Sequence, residues 1–268
     1  MRRSRLVGFV APLLLALGLG FTQAASAQAA TNSGGYVALG DSYASGVGAG
    51  SYISSSGDCD RSTNSAAYLW NAAHKPASFA FNACSGATTD DVLANQLGSL
   101  NSSTSLVSIS IGGNDAGFAD VMQTCVLSLS DSGCLSRINT ATSYITSTLP
   151  GKLDNLYNTI HSKAPNARVV VIGYPRFYLL GQVCVGLSDT KRSAINNAAD
   201  TLDSVIQSRV SAHGFSFADV RSAFSTHELC SGSAWLHSVN VLDLTESYHP
   251  TADGQSGGYL PALTAAAS

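Results

Sequence analysis

A serine, a histidine and a few amide donors suffice for acyl transfer, and this chain presents them in four short segments. Gly40-Asp41-Ser42-Tyr43 closes the apolar run Tyr36-Val37-Ala38-Leu39 and leads into glycine-rich Ser45-Gly46-Val47-Gly48-Ala49-Gly50. A serine at a strand-to-loop turn stands at the mouth of a sheet, where its hydroxyl can meet a base and a substrate. Helix capping and turns also favour Ser, Asp and Gly, so this segment alone does not decide. Gly112-Gly113-Asn114-Asp115 closes a second apolar run. Its glycines let backbone approach a ligand, and the Asn114 side-chain NH2 can donate to a developing oxyanion, although turn chemistry explains the same residues. Ala83-Cys84-Ser85-Gly86-Ala87 follows a third run, and there Gly86 offers a backbone N–H that no side chain shields. Near the C-terminus stands Glu246-Ser247-Tyr248-His249-Pro250. Histidine suits general-base work near neutral pH, and a proline at the first helical position would fix where His249 points. The remaining histidines, His74, His161, His213, His227 and His237, carry no surrounding motif and read as surface or core residues.

These segments need a scaffold, and the spacing of apolar runs supplies one. Five runs rich in β-branched and aromatic residues predict strands at 36–39, 79–81, 106–111, 168–172 and 215–217. Segments of helical length lie at 65–74, 91–97, 134–149, 153–163, 189–212 and 250–263. Strands alternating with helices imply βα units and a largely parallel sheet covered on both faces. Ligands in such sheets sit beyond the carboxyl ends of the strands, which is where the serine, glycine and asparagine segments fall.

Together the four segments resemble the SGNH hydrolases, also called GDSL lipases and esterases, in order and spacing across nearly the whole chain. The strings Gly-Asp-Ser-Tyr at 40–43, Gly-Gly-Asn-Asp-Ala-Gly-Phe at 112–118 and Ser-Tyr-His-Pro at 247–250 look most like secreted actinobacterial lipases and phospholipases A1 of that family. The resemblance implies a three-layer α/β/α flavodoxin-like fold with a central parallel five-stranded sheet. It also implies Ser42 as nucleophile, His249 as general base and then acid, and an oxyanion hole of the Ser42 N–H, the Gly86 N–H and the Asn114 side chain. One position departs from the pattern: the family has Asp three residues before the histidine, and this chain has Glu246. Similar actinobacterial enzymes use a backbone carbonyl there, so the Ser247 carbonyl is favoured to orient His249, with the Glu246 carboxylate as the alternative.

The chain begins Met1-Arg2-Arg3-Ser4-Arg5, runs apolar from Leu6 to Leu19 and reaches Ala25-Ser26-Ala27. Residues 1–27 read as a secretory signal peptide, with cleavage as late as Ala30, leaving 28–268 as one hydrolase domain. Loss of Arg2, Arg3 and Arg5 with no acid takes the formal charge from −3 to −6. Such a surface argues against nucleic acid or an anionic membrane as partner; a monomer with an ester or lipid substrate and transient contact with a lipid interface is expected. In an oxidising destination the six cysteines imply three disulfides. Fifteen pairings are possible; sequential pairing, Cys59–Cys84, Cys125–Cys134 and Cys184–Cys230, is expected because each bond would close a local loop.

Rival chemistries are weaker. Gly254-Gln255-Ser256-Gly257-Gly258 fits the Gly-x-Ser-x-Gly elbow, yet no strand precedes it and no histidine follows it. His227-Glu228-Leu229-Cys230-Ser231 breaks the zinc pattern His-Glu-x-x-His, and neither metal nor organic cofactor is expected. A non-catalytic binding module of the same fold would be expected to have lost Ser42, Gly86, Asn114 or His249, and all four are present. Tyr43, Phe118, Tyr174, Phe177 and Tyr178 are candidate walls of an acyl pocket, with ordinary core packing as the alternative.

Overall fold

A computed structural model describes residues 34–239 and 244–268; the expected leader lies outside the described residues. Five strands, β1 (Gly35–Gly40), β2 (Ser78–Phe81), β3 (Thr104–Ser110), β4 (Arg168–Ile172) and β5 (Ser216–Ala218), pair in parallel in the order β2-β1-β3-β4-β5. Val169, Val170, Val171 and Ile172 are all buried, as are Val107 and Ile109, because helices cover both faces of the sheet. All five strands fall where the apolar runs predict them, with ends shifted by one or two residues.

Helix α1 (Ser42–Ser45) is a single turn directly after β1, and α2 (Ala66–His74) packs with α9 (Leu260–Ala267) on one face. The other face carries α3 (Thr89–Asn95), α4 (Phe118–Leu127), α5 (Asp131–Ser147), α6 (Leu149–Lys163) and α7 (Asp189–Ala212). A short α8 (Arg221–Phe224) follows β5. The caps explain several boundaries. Ser65 accepts from Tyr68 N at the start of α2, and Thr88 and Asp91 form a capping box on α3. Pro150 sits in the first turn of α6, so the break between α5 and α6 falls at Thr148 rather than between 149 and 153.

One helix lies outside the predicted segments, and one expectation requires correction. The helix at 118–127 was not legible: its N-cap is Gly117 in the left-handed region, with no side-chain cap to announce it. The last helical segment does not open at Pro250. Pro250 forms an antiparallel bridge with Leu236, and helix begins at Ala252, passing through a π turn at Gly254–Tyr259 before α9.

The strand order places a topological switch between β1 and β3, since the chain leaves β1 towards β2 on one side and returns through β3 on the other. A crevice opens there at the carboxyl ends of the strands. Ser42 follows β1 and Gly112 to Asn114 follow β3, so the two segments flank the switch. Three disulfides join Cys59 to Cys84, Cys125 to Cys134 and Cys184 to Cys230.

Candidate active site

Ser42 occupies the first position of α1, with Asp41 as N-cap and the Asp41 Oδ1 accepting from Tyr43 N at 3.0 Å. Gly40, at φ +121°, has room for no side chain: a Cβ there would lie 2.3 Å from the Ser110 carbonyl. Two buried glutamines pin the turn from either side. Gln96 accepts from Gly40 N at 2.7 Å and donates to Gly40 O at 2.9 Å; Gln255 donates to Tyr43 O at 3.0 Å and accepts from Ala66 N at 2.9 Å. Each bond lies between buried partners, so losing one strands a backbone group at about 1–3 kcal/mol. The serine is thereby fixed by backbone anchors on both flanks.

His249 reaches this turn from a loop at the far end of the chain. The Ser42 hydroxyl donates to His249 Nε2 at 2.7 Å, and His249 Nδ1 donates to the Ser247 carbonyl at 3.2 Å. A carbonyl only accepts, so this contact fixes the proton on Nδ1 and leaves Nε2 as the acceptor. Burial pulls His249 down to about 4, against the opposing effect of the nearby carbonyls of Ser247, Thr245 and Glu246. The Glu246 carboxylate points elsewhere, accepting from the Tyr52 hydroxyl at 2.6 Å.

The loop that carries His249 is braced by residues without motifs. His237 donates N–H to His249 O at 2.9 Å and accepts from Tyr248 N at 2.8 Å, while its ring Nε2 donates to Gly48 O at 2.7 Å. Tyr43 donates to Tyr248 O at 2.6 Å, and Tyr178 donates to the Tyr248 hydroxyl at 3.0 Å. These bonds hold Tyr248 at φ +67°, a conformation that costs an L-residue about 1–2 kcal/mol. His237 thus braces His249, a position that its sequence surroundings did not signal.

Across the switch, the Asn114 side chain donates to Ala87 O at 3.0 Å, which ties the end of β3 to the Gly86 loop. One amide proton of Asn114 satisfies that bond and the second stays available. Among the described residues, neither the Ser42 N–H nor the Gly86 N–H has a hydrogen-bond partner. Asp115 accepts from both Thr89 N at 2.9 Å and Thr89 Oγ1 at 2.6 Å, a second tie between these loops. The Cys59–Cys84 bond anchors the Gly86 loop from its other side.

Beneath the serine, Tyr174 donates its hydroxyl to Asp41 Oδ2 and accepts there from Gly113 N at 3.2 Å, while its own N–H donates to Asp203 Oδ1 at 2.9 Å. Burial drives Asp41 up to about 7 and Asp203 up to about 8, outweighing the hydrogen bonds that each accepts. An apolar cavity with about 640 Å³ of empty space, its mouth included, opens beside Ser42 and Asn114. Phe118 and Met122 of α4, Ile145 of α5 and Leu202 of α7 wall it. Of the predicted walls, Tyr43, Phe118, Tyr174 and Phe177 line the cavity and Tyr178 does not, being committed to Tyr248. Among the described residues, no group of three His, Cys, Asp or Glu side chains gathers as a metal site.

Residues 38–256 match the family model described as GDSL-like Lipase/Acylhydrolase family. The chain is 68% identical over 269 aligned residues, covering 100% of both sequences, to Lipase 1 of Streptomyces coelicolor. Phospholipase A1 from Streptomyces albidoflavus NA297 superposes with a TM-score of 0.86 at 61% identity, covering 87% of this chain and 99% of that one. An extracellular lipase from Streptomyces rimosus gives a TM-score of 0.85 at 60% identity, with the same coverage of each chain. Four loops of one parallel sheet that bring together a serine, an imidazole and amide donors therefore have their counterpart in a known group of enzymes: the chain belongs to the GDSL-like lipase/acylhydrolase family and is an ester hydrolase.

Proposed function

We propose that the protein is a secreted lipase that cleaves acyl esters of lipids through a Ser42–His249 dyad. The observation that carries this reading is the 2.7 Å contact from the Ser42 hydroxyl to His249 Nε2 at the mouth of an apolar cavity. In the proposed cycle Ser42 Oγ attacks the ester carbonyl as His249 takes its proton. The resulting oxyanion receives hydrogen bonds from the Ser42 N–H, the Gly86 N–H and the Asn114 side chain. The tetrahedral intermediate collapses as His249 returns the proton to the leaving alcohol, and water, activated by the same imidazole, releases the acid from the acyl-enzyme. The Ser247 carbonyl stands in place of a triad carboxylate, stabilising the imidazolium through Nδ1. All reacting groups come from the chain, so turnover is expected to persist in EDTA.

A lipid substrate is supported by the apolar walls of the cavity, which suit an acyl chain, and by relatives named lipases. Phospholipase A1 activity is the second reading, favoured by the solved relative of that name at 61% identity. Secretion is supported by the sequence of residues 1–27, by the disulfides and by the relative described as extracellular. The test is to incubate wild-type and Ser42→Ala protein with triacylglycerol and phosphatidylcholine emulsions in EDTA and to identify released fatty acids and lysolipids by mass spectrometry. Release by wild type alone supports the mechanism, and the position of acyl loss separates lipase from phospholipase A1. Equal release by both proteins overturns Ser42 as nucleophile; release from neither lipid overturns the lipid assignment.

A further inference from the structure

Exposed aliphatic side chains are concentrated in two segments next to helices that wall the cavity, the end of α4 with the loop after it and the loop before α7. Leu127 and Leu129 lie between Cys125 and Cys134, and Val183 and Val185 flank Cys184. Leu129, Val183 and Val185 are essentially fully exposed, at 106%, 99% and 99% of their reference areas. Isolated surface aliphatics are ordinary, but a group of them beside a substrate cavity marks a surface that is covered in use. Both loops are moored to the first turns of α7. Lys191 Nζ donates to Ser128 O at 2.6 Å and to Cys125 O at 3.1 Å, while Arg192 donates to Gln182 O at 3.3 Å. Ser188 adds a bond to Asp131 at 2.6 Å. Disulfides and buried cations therefore hold these side chains out in water, so the exposure is built into the loops.

The patch neighbours the cavity: Ile195 of α7, one turn after Lys191 and Arg192, lines it. Met122, five residues before Leu127 on α4, and Phe177, six residues before Val183, both line it. Of the charged groups in these segments, Lys191 and Arg192 are buried, Asp131 is half-buried against Ser188, and Asp189 is exposed. That combination disfavours an anionic surface and suits an uncharged or zwitterionic one. Resting on the lipid-ester reading, we infer that Leu127, Leu129, Val183 and Val185 form the surface through which the enzyme adsorbs to a neutral lipid interface, with the mouth of the cavity against it.

The test measures flotation of Ser42→Ala protein with phosphatidylcholine vesicles, with and without L127S, L129S, V183S and V185S combined. The four substitutions should lower the partition coefficient about tenfold or more. In the active background they should leave kcat/KM for a short ester in true solution within about twofold, which also reports that the variant is folded. As a second readout, a Val183→Trp variant should show a blue-shifted emission on adding the same vesicles. Unchanged partitioning with no blue shift overturns the proposal, as does binding that requires anionic lipid and disappears in salt. Formation of a dimer that buries the patch also overturns it, assigning the surface to a second copy instead. Absence of ester hydrolysis by wild type would count against the functional reading and is measured separately from adsorption.

Discussion

Tyr174 and Asp41 meet through a 2.5 Å hydrogen bond directly beneath Ser42, and the same phenol accepts from Gly113, beside Asn114. One hydroxyl therefore spans the base of the Ser42 turn and of the proposed oxyanion loop. Tyr174→Phe should strand the Gly113 N–H and one Asp41 oxygen in a buried site, lowering stability by about 1–3 kcal/mol. The expected kinetic signature is a lower kcat on a soluble ester with little change in KM, measured alongside the melting temperature. A variant that loses stability alone would make Tyr174 purely structural.

The acid limb of activity should lie near pH 4. His249 is held below its ordinary value of 6.5 by burial, so the imidazole remains a free base until the pH approaches about 4. The sign for stability follows: the unfolded chain takes up this proton first as pH falls, so the contribution is full above about 6.5 and is lost progressively towards 4. Asp41 acts in the opposite sense, its raised value giving a contribution that is present below the ordinary carboxylate range and lost as pH rises towards 7. A pH profile of kcat/KM on a soluble ester checks the first statement, and a limb centred at 6.5 would contradict it.

Glu246→Gln should leave most activity intact, because its carboxylate bonds to Tyr52 while His249 Nδ1 faces the Ser247 carbonyl. Loss of a carboxylate that orients a catalytic histidine costs about 10⁴-fold in kcat. Steady-state kinetics on a soluble ester thus separate a carbonyl-oriented dyad from a triad over a wide range.

Asn114→Ala should reduce kcat by about 10²–10³-fold, the usual cost of removing one oxyanion donor, with KM nearly unchanged. It also severs the bond to Ala87 O, so the melting temperature must be read in parallel. An unaffected kcat would remove Asn114 from the proposed oxyanion hole.

Two glycines of the run after Ser42 should respond differently to alanine. At Gly48 a Cβ would lie 2.8 Å from the Pro250 carbonyl and 3.1 Å from His249 Cβ, so Gly48→Ala should displace His249 and lower both activity and stability. At Gly50 nothing lies within 4 Å, leaving only the left-handed backbone penalty of about 1 kcal/mol. Comparing the two variants by calorimetry and ester hydrolysis isolates the steric effect.

The residues that carry motifs were legible because their types are dictated by chemistry, and the five strands because burial on both faces leaves unbroken apolar runs. The supports were not legible, for a physical reason. Gln96 holds Gly40 across 56 residues and Gln255 holds Tyr43 across 212; a glutamine that bonds to backbone leaves no local pattern. His237 braces His249 through its main chain, which any residue type can do. The helix at Phe118–Leu127 lacks a side-chain cap, and the position of Pro250 is set by a bridge to Leu236 instead of by its own preference for a helix start.

The Cys59–Cys84 bond anchors only one part of the candidate site. Ser42 and His249 are secured by hydrogen bonds from Gln96, Gln255, Tyr43 and His237, none of which responds to thiols. Reduction of this bond should therefore leave the Ser42–His249 contact in place while freeing the Gly86 loop, so ester turnover should slow without loss of the fold. In that sense the bond would set the rigidity of the proposed oxyanion loop without touching the Ser42–His249 pair.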